Sequence, residues 1–118
     1  MIIVNSDPRY HITKKKIKLY ASSTLLSLGI SDNYDVNIIF VGKRKMKTIA
    51  YKYKHENFAL PVLTFPYVDD KNEQNKLLGE IFICYPQALL LAAEKEKKVY
   101  DMIEQLIEHG IKNLVNET

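Results

Sequence analysis

Cysteine is nearly missing from this sequence. Cys84 stands alone, so the chain can form no internal disulfide and no cysteine-based zinc cluster. Its apolar neighbours, Ile81 to Ile83, mark it as a buried strand residue and not a nucleophile. Glycine is also scarce: four glycines, widely scattered, cannot build a phosphate-cradling loop, and no serine nucleophile motif is present. Long apolar runs are absent. Ile38 to Val41 and Ala88 to Ala93 fall far short of the roughly 20 residues needed to cross a bilayer, so no membrane span is expected. Met1-Ile2-Ile3-Val4 followed by Asn5-Ser6-Asp7-Pro8 has neither a basic leader nor a long apolar region, which predicts no secretory signal and a cytoplasmic protein. No internal repeat is visible.

What remains is a chain of ordinary globular make-up, 47% hydrophobic over 118 residues, which suits one domain spanning residues 1–118. The net charge of +3 conceals an asymmetry. Residues 1–60 carry 11 Lys/Arg against 4 Asp/Glu, and residues 61–118 carry 6 against 10. A basic half suits a polyanionic partner, because each phosphate neutralised by Lys or Arg releases a condensed counterion. The same charges would also serve as a solvated surface.

Residues 2–5 read as a first strand. Ile17, Ala21, Leu25 and Leu28 then recur at helical spacing between a Thr13 N-cap and a Gly29 stop. Lys14, Lys15, Lys16 and Lys18 crowd the start of that helix. Ser31 to Tyr34 reads as a turn and 36–41 as a largely buried strand ended by Gly42. Met46, Ile49, Ala50 and Tyr53 recur at i, i+3, i+4 and i+7, which turns Lys43, Arg44, Lys45, Lys47 and Lys52 toward the other surface of a short helix. Tyr51 and Tyr53 interleave with Lys52 and Lys54, a pattern suited to base stacking beside phosphate contacts, although tyrosines at this spacing also serve as core and boundary residues. Val62 to Tyr67 and Leu77 to Cys84 read as strands around a polar loop, Asp69 to Lys76. Pro86 suits the first turn of a helix whose Ala88 to Ala93 run is buried. The last helix, about Val99 to Val115, has an apolar face of Met102, Ile103, Leu106, Ile107, Ile111, Leu114 and Val115. Strands and helices are mixed, so the expected class is α+β.

Three segments, in order, resemble the YbeY family of rRNA maturation factors. Val62-Leu63-Thr64-Phe65-Pro66 resembles its V-L-S-F-P strand, Leu77-Leu78-Gly79-Glu80-Ile81-Phe82-Ile83-Cys84 its L-L-G-D-I-V-I-C strand, and Glu108-His109-Gly110-Ile111-Lys112-Asn113-Leu114 the start of its H-G-L-L-H-L helix. The resemblance implies a small mixed four-stranded sheet packed with helices, ending in the helix that bears His109. It also implies a metal-dependent endoribonuclease ancestry. In that family, histidines at i and i+4 share a helix face and a third returns from the following turn, holding zinc with a position left for water.

The ligand pattern is incomplete here. His109 matches the first ligand and Gly110 the glycine, but Asn113 stands at the second histidine, and an amide is a poor zinc ligand. Asn116 replaces a later glycine, Thr118 stands where an acidic residue is usual, and the third histidine would fall one position beyond it. The family's upstream signature, N-x-x-[YF]-R-x-x-D-x-x-T-D, aligns with Ala50, Tyr53, Lys54, Asn57 and Leu60-Pro61, so only the aromatic and a positive charge persist. Lys54 can meet a phosphate as a point charge but lacks the planar fork of arginine. His11 and His55 show no spacing that brings them to His109, and Glu104 and Glu108 read as solvated helix carboxylates.

The expected function is therefore a YbeY-like rRNA maturation or ribosome-associated protein that binds RNA or ribosomal components through Lys43, Arg44, Lys45, Lys47, Lys52 and Lys54, joined by Lys14 to Lys18, with no cofactor. Two other readings stand beside it. One is an active metal-dependent endoribonuclease using a non-standard or intermolecular metal site, with zinc if the family site is retained, and the other is a catalytically inactive structural or regulatory protein that forms oligomers.

Overall fold

Alternating apolar residues form the strands, and their registers bring them into one sheet. The computed structural model describes residues 1–31, 33–67 and 77–116. The expected loop Asp69 to Lys76 and the position of Thr118 lie outside the described residues, as does Asp32 of the expected turn. The element order is β1 (Ile2–Ser6), α1 (Lys14–Ser27), β2 (Asp35–Val41), α2 (Lys43–Lys54), β3 (Val62–Pro66), β4 (Leu77–Cys84), α3 (Tyr85–Glu94) and α4 (Val99–Asn116). The strands lie in the order β1-β2-β4-β3. β1, β2 and β4 are mutually parallel, and β3 runs antiparallel to β4 at the edge. This is the mixed α+β sheet that the sequence implied.

Period two divides the strands between two faces. On one face Ile2, Val4, Val36, Ile38, Phe40, Ile81 and Ile83 meet the buried stripes of α1 (Ile17, Ala21, Leu25), α3 (Ala88, Ala92) and α4. Seven α4 positions are buried, from Met102 to Leu114. Removing an aliphatic side chain of this size from water contributes about 1.5–3 kcal/mol, so the α4 seam is a large share of the fold's stability. On the other face Val41, Leu63 and Cys84, with Ile39, Phe65 and Phe82 partly buried, pack against Met46 and Ile49 of α2. The sheet is thus covered by α1, α3 and α4 on one side and by α2 on the other.

Two glycines set the approach of α4. A Cβ at Gly110 would lie 2.9 Å from Ile81 Cγ2, and one at Gly79 would lie 2.5 Å from both Leu114 Cδ2 and the Phe65 carbonyl oxygen. Helix and strand touch through these gaps. The segment before α1 is pinned to α4 by Tyr100, whose hydroxyl accepts the Thr13 N–H at 2.8 Å and donates to the His11 carbonyl at 3.2 Å.

Some details differ from expectation. The Ala88 to Ala93 run is buried only at Ala88 and Ala92, with Leu91 partly covered, and Leu89 and Leu90 stand exposed because α3 rests on the sheet through one i, i+4 stripe. α2 begins one residue after β2, so Gly42 is both strand stop and N-cap. Cys84 is buried at the end of β4, and burial pushes its thiol pKa up, away from nucleophilic use.

Candidate nucleic-acid interface

α2 contains six basic residues and no acidic one. Lys43, Arg44, Lys45, Lys47, Lys52 and Lys54 are all exposed. Helical geometry sorts them: Lys43, Lys47, Tyr51 and Lys54 recur at i, i+4, i+8 and i+11 along one stripe, with Lys45 and Lys52 on the opposite flank. No carboxylate pairs with any of them among the described residues. Among the described residues, therefore, nothing neutralises the cationic field of this helix.

The aromatic residues complete the surface. Tyr51 is 60% exposed and Tyr53 55%, so neither belongs to the core. Met46 and Ala50 are the buried residues of α2, whereas its last turn is exposed. Tyr53 is still held from one side, since its ring meets Phe65 edge-on at 5.0 Å and Phe65 meets Phe82 at 5.6 Å. The Lys52 ammonium lies 5.3 Å from the Tyr53 ring centroid. Both tyrosines are thus more than half exposed beside lysines, the combination of aromatic and cation used for single-stranded nucleic acid.

The second lysine cluster, Lys14 to Lys18, is exposed at the start of α1, on the opposite face of the sheet. It does not extend the α2 stripe. Lys16 is already engaged, 4.9 Å from the centroid of Tyr100. The parallel pairing nevertheless places the starts of α1, α2 and α3 at one edge, the C-terminal ends of β1, β2 and β4, and none of the three helices has an acid in its first turn. Arg9, a cation at this edge that the charge pattern does not single out, is tied to Asp7 at 2.8 Å. The Arg9 hydrogen bonds hold the Asp7 carboxyl down at about 2, so the pair stays ionised throughout the neutral range. The strand-ending Ser6-Asp7-Pro8 turn is the one signal in the sequence that points to it.

His109 and Asn113 occupy successive turns of α4, across the sheet from α2. His109 is exposed and Asn113 partly buried. Glu108 pairs with Lys112 at 2.9 Å, as an exposed i, i+4 couple, and is not held as an acid or base. Among the described residues no group of three or more His, Cys, Asp or Glu converges. One imidazole beside an amide does not make the three-ligand open site that hydrolytic zinc requires, so the residues described do not fit that metal. Asn113→His would supply the i, i+4 pair. Excess zinc is expected to raise the Tm of that variant by several degrees, as binding to the native state alone does, and to leave the unaltered chain's Tm unchanged. Equal shifts in both would reveal ligands that α4 does not provide.

Comparison with known proteins fits this scaffold. A sequence model of the family described as Endoribonuclease YbeY matches residues 3–115. The chain is similar to the Endoribonuclease YbeY of Thermodesulfovibrio yellowstonii, 32% identical over 80 residues, which are 68% of this chain and 50% of that protein. Its similarity to the Endoribonuclease YbeY of Alkaliphilus metalliredigens is 27% and covers 98% of this chain and 79% of that one. The solution structure of TM1509 from Thermotoga maritima shares the fold, with a TM-score of 0.64 at 22% identity, over 97% of this chain and 71% of that one. The chain thus spans about half the length of the first of these relatives. No helix among the described residues is long and apolar enough to cross a membrane.

Proposed function

Because the chain belongs to the Endoribonuclease YbeY family, we propose that it is a cytoplasmic rRNA maturation factor that works by binding RNA or ribosomal components, without the family's zinc centre. The observation that carries this reading is α2, a helix whose six basic residues are all exposed and meet no carboxylate among the described residues, with two exposed tyrosines among them. Lysines along the stripe meet the phosphates, and Tyr51 and Tyr53 present rings to unstacked bases. Lys54, at the family's arginine position, contributes charge without a bidentate grip. In this reading α4 supports no hydrolytic step, because among the described residues no second or third ligand joins His109.

A second reading follows from the exposure of His109, which leaves its imidazole open to ligands from another chain. Hydrolysis would then require an assembly that completes the site.

The deciding experiment measures binding and cleavage of single-stranded rRNA fragments at low salt, with chelator or with added zinc. Binding that is unchanged by chelator, falls steeply with salt and gives no cleavage under either condition is the expected result. Zinc-dependent cleavage would establish the second reading, and no RNA association at low salt would sink the first.

A further inference from the structure

Where β1 and β2 end and α2 begins, the surface opens into a cavity of about 950 Å³. That lies at the upper end of the range of pockets that enclose small organic ligands, roughly 300–1,000 Å³, so it has room for a nucleotide and not just an ion. Its polar wall includes Asn5, Ser6, Arg9, Lys43, Arg44 and Lys45. Among the described residues that line it the only acid is Asp7, already bound by Arg9 at 2.8 Å. Lys43, Arg44 and Lys45 meet no carboxylate among the described residues, and as a group they leave the cavity strongly cationic.

The backbone adds to this charge. Gly42, the N-cap of α2, has no side chain to accept the first amide N–H groups of the helix, and no acid occupies the first turn. Those donors and the positive end of the helix dipole favour an anion at this place. Ile39, Phe40 and Val41 supply the less polar part of the lining. The cavity shares Lys43 with the Lys43, Lys47, Tyr51 and Lys54 stripe, and Tyr51 lies about 12 Å along the helix from Lys43 at 1.5 Å per residue.

We propose that this cavity is a phosphate pocket, taking the phosphate of one RNA nucleotide at the start of α2 while neighbouring nucleotides run along the helix toward Tyr51 and Lys54. The proposal rests on the RNA-binding reading and adds the point of phosphate capture. The phosphate belongs either to a 5′ terminus or to an internal linkage.

Backbone amide shifts in the full chain provide the test, with inorganic phosphate, chloride at matched ionic strength, and one short single-stranded RNA carrying either a 5′-phosphate or a 5′-hydroxyl as probes. Phosphate, and not chloride, is expected to move the amides of Ser6 and of residues 42–45. Both those amides and those of residues 51–54 should move with RNA. A response at 42–45 confined to the 5′-phosphorylated RNA assigns the pocket to a terminus, and equal responses assign it to an internal linkage. Asn5→Asp, which sets a carboxylate at an exposed position on the cavity wall, should abolish the inorganic phosphate response and weaken RNA binding about tenfold, reducing the log–log salt slope by about 0.7 for the one phosphate no longer held. RNA that moves the amides of 51–54 and leaves 42–45 still would overturn the pocket while the RNA-binding reading stands. RNA that moves neither set overturns that reading, and this assignment with it, whatever inorganic phosphate does.

Discussion

Gly79→Ala is expected to lower stability by about 3 kcal/mol and the Tm by about 10 °C or more. The added Cβ would lie 2.5 Å from the Phe65 carbonyl oxygen on the neighbouring strand and 2.5 Å from Leu114 Cδ2 on α4, with Pro66 Cα at 3.2 Å. A side chain can rotate away from such a contact, but a backbone carbonyl in the β3 and β4 ladder cannot retreat without breaking the Phe65 to Glu80 and Pro66 to Gly79 register. Gly110→Ala is the informative comparison. The three atoms nearest its Cβ are all in the Ile81 side chain, at 2.9 to 3.4 Å, and alanine in place of glycine favours the helix by about 1 kcal/mol, partly offsetting the crowding. Chemical denaturation of both variants should therefore rank Gly79→Ala well below Gly110→Ala. A Gly79 variant within about 1 kcal/mol of the parent would show that strand pairing at this edge yields more easily than the ladder implies.

That contrast also marks what the sequence could and could not convey. Ile17, Ala21 and Leu25 announce α1, and the Met102 to Leu114 face announces α4, because helical spacing is a local property that burial then selects. That Asn113 stands where the resembled family motif has its second histidine is legible in another way, through the motif and not through the spacing. Gly79 and Gly110 show in the sequence only as motif glycines, and their packing role stays hidden: it lies in atoms of Ile81, Leu114 and Phe65, distant or in another element, which only the tertiary arrangement brings near. The exposure of Tyr51, Tyr53, Leu89 and Leu90 was hidden likewise, since the periodic pattern reports which residues share a face and not how much sheet lies beneath it. The meeting of three helix starts at one edge follows from the parallel pairing of β1, β2 and β4, a non-local fact that no window of sequence contains. Lys14 to Lys18 and Lys43 to Lys54, which read as one basic half, fold onto opposite faces.

Replacing Lys47, Lys52 and Lys54 together with glutamine is expected to weaken binding to single-stranded RNA by about 100-fold or more at low salt. Each hydrogen bond to a charged group contributes about 1.5 kcal/mol, and about 1.4 kcal/mol is tenfold in affinity. The log–log dependence on salt should flatten by about 2, at roughly 0.7 for each of the three single-strand phosphates left unneutralised. These three residues lie outside the lining of the cavity at the start of α2, so its response to inorganic phosphate should survive. The matched control is Lys95, Lys97 and Lys98 to glutamine, which removes the same charge from the connection between α3 and α4 and should change affinity little. Equal losses in both triple variants would mean that RNA responds to net charge and not to α2. Tyr51→Ala separates stacking from charge, because base stacking on an aromatic contributes about 1–3 kcal/mol and leaves the salt slope unchanged. Tyr51 is the cleaner choice than Tyr53, whose ring also packs on Phe65 and would take part of the sheet's outer cluster with it. A Tyr51 variant that loses affinity with an unchanged slope, beside a lysine variant that loses both, is the signature of bases and phosphates read by one helix.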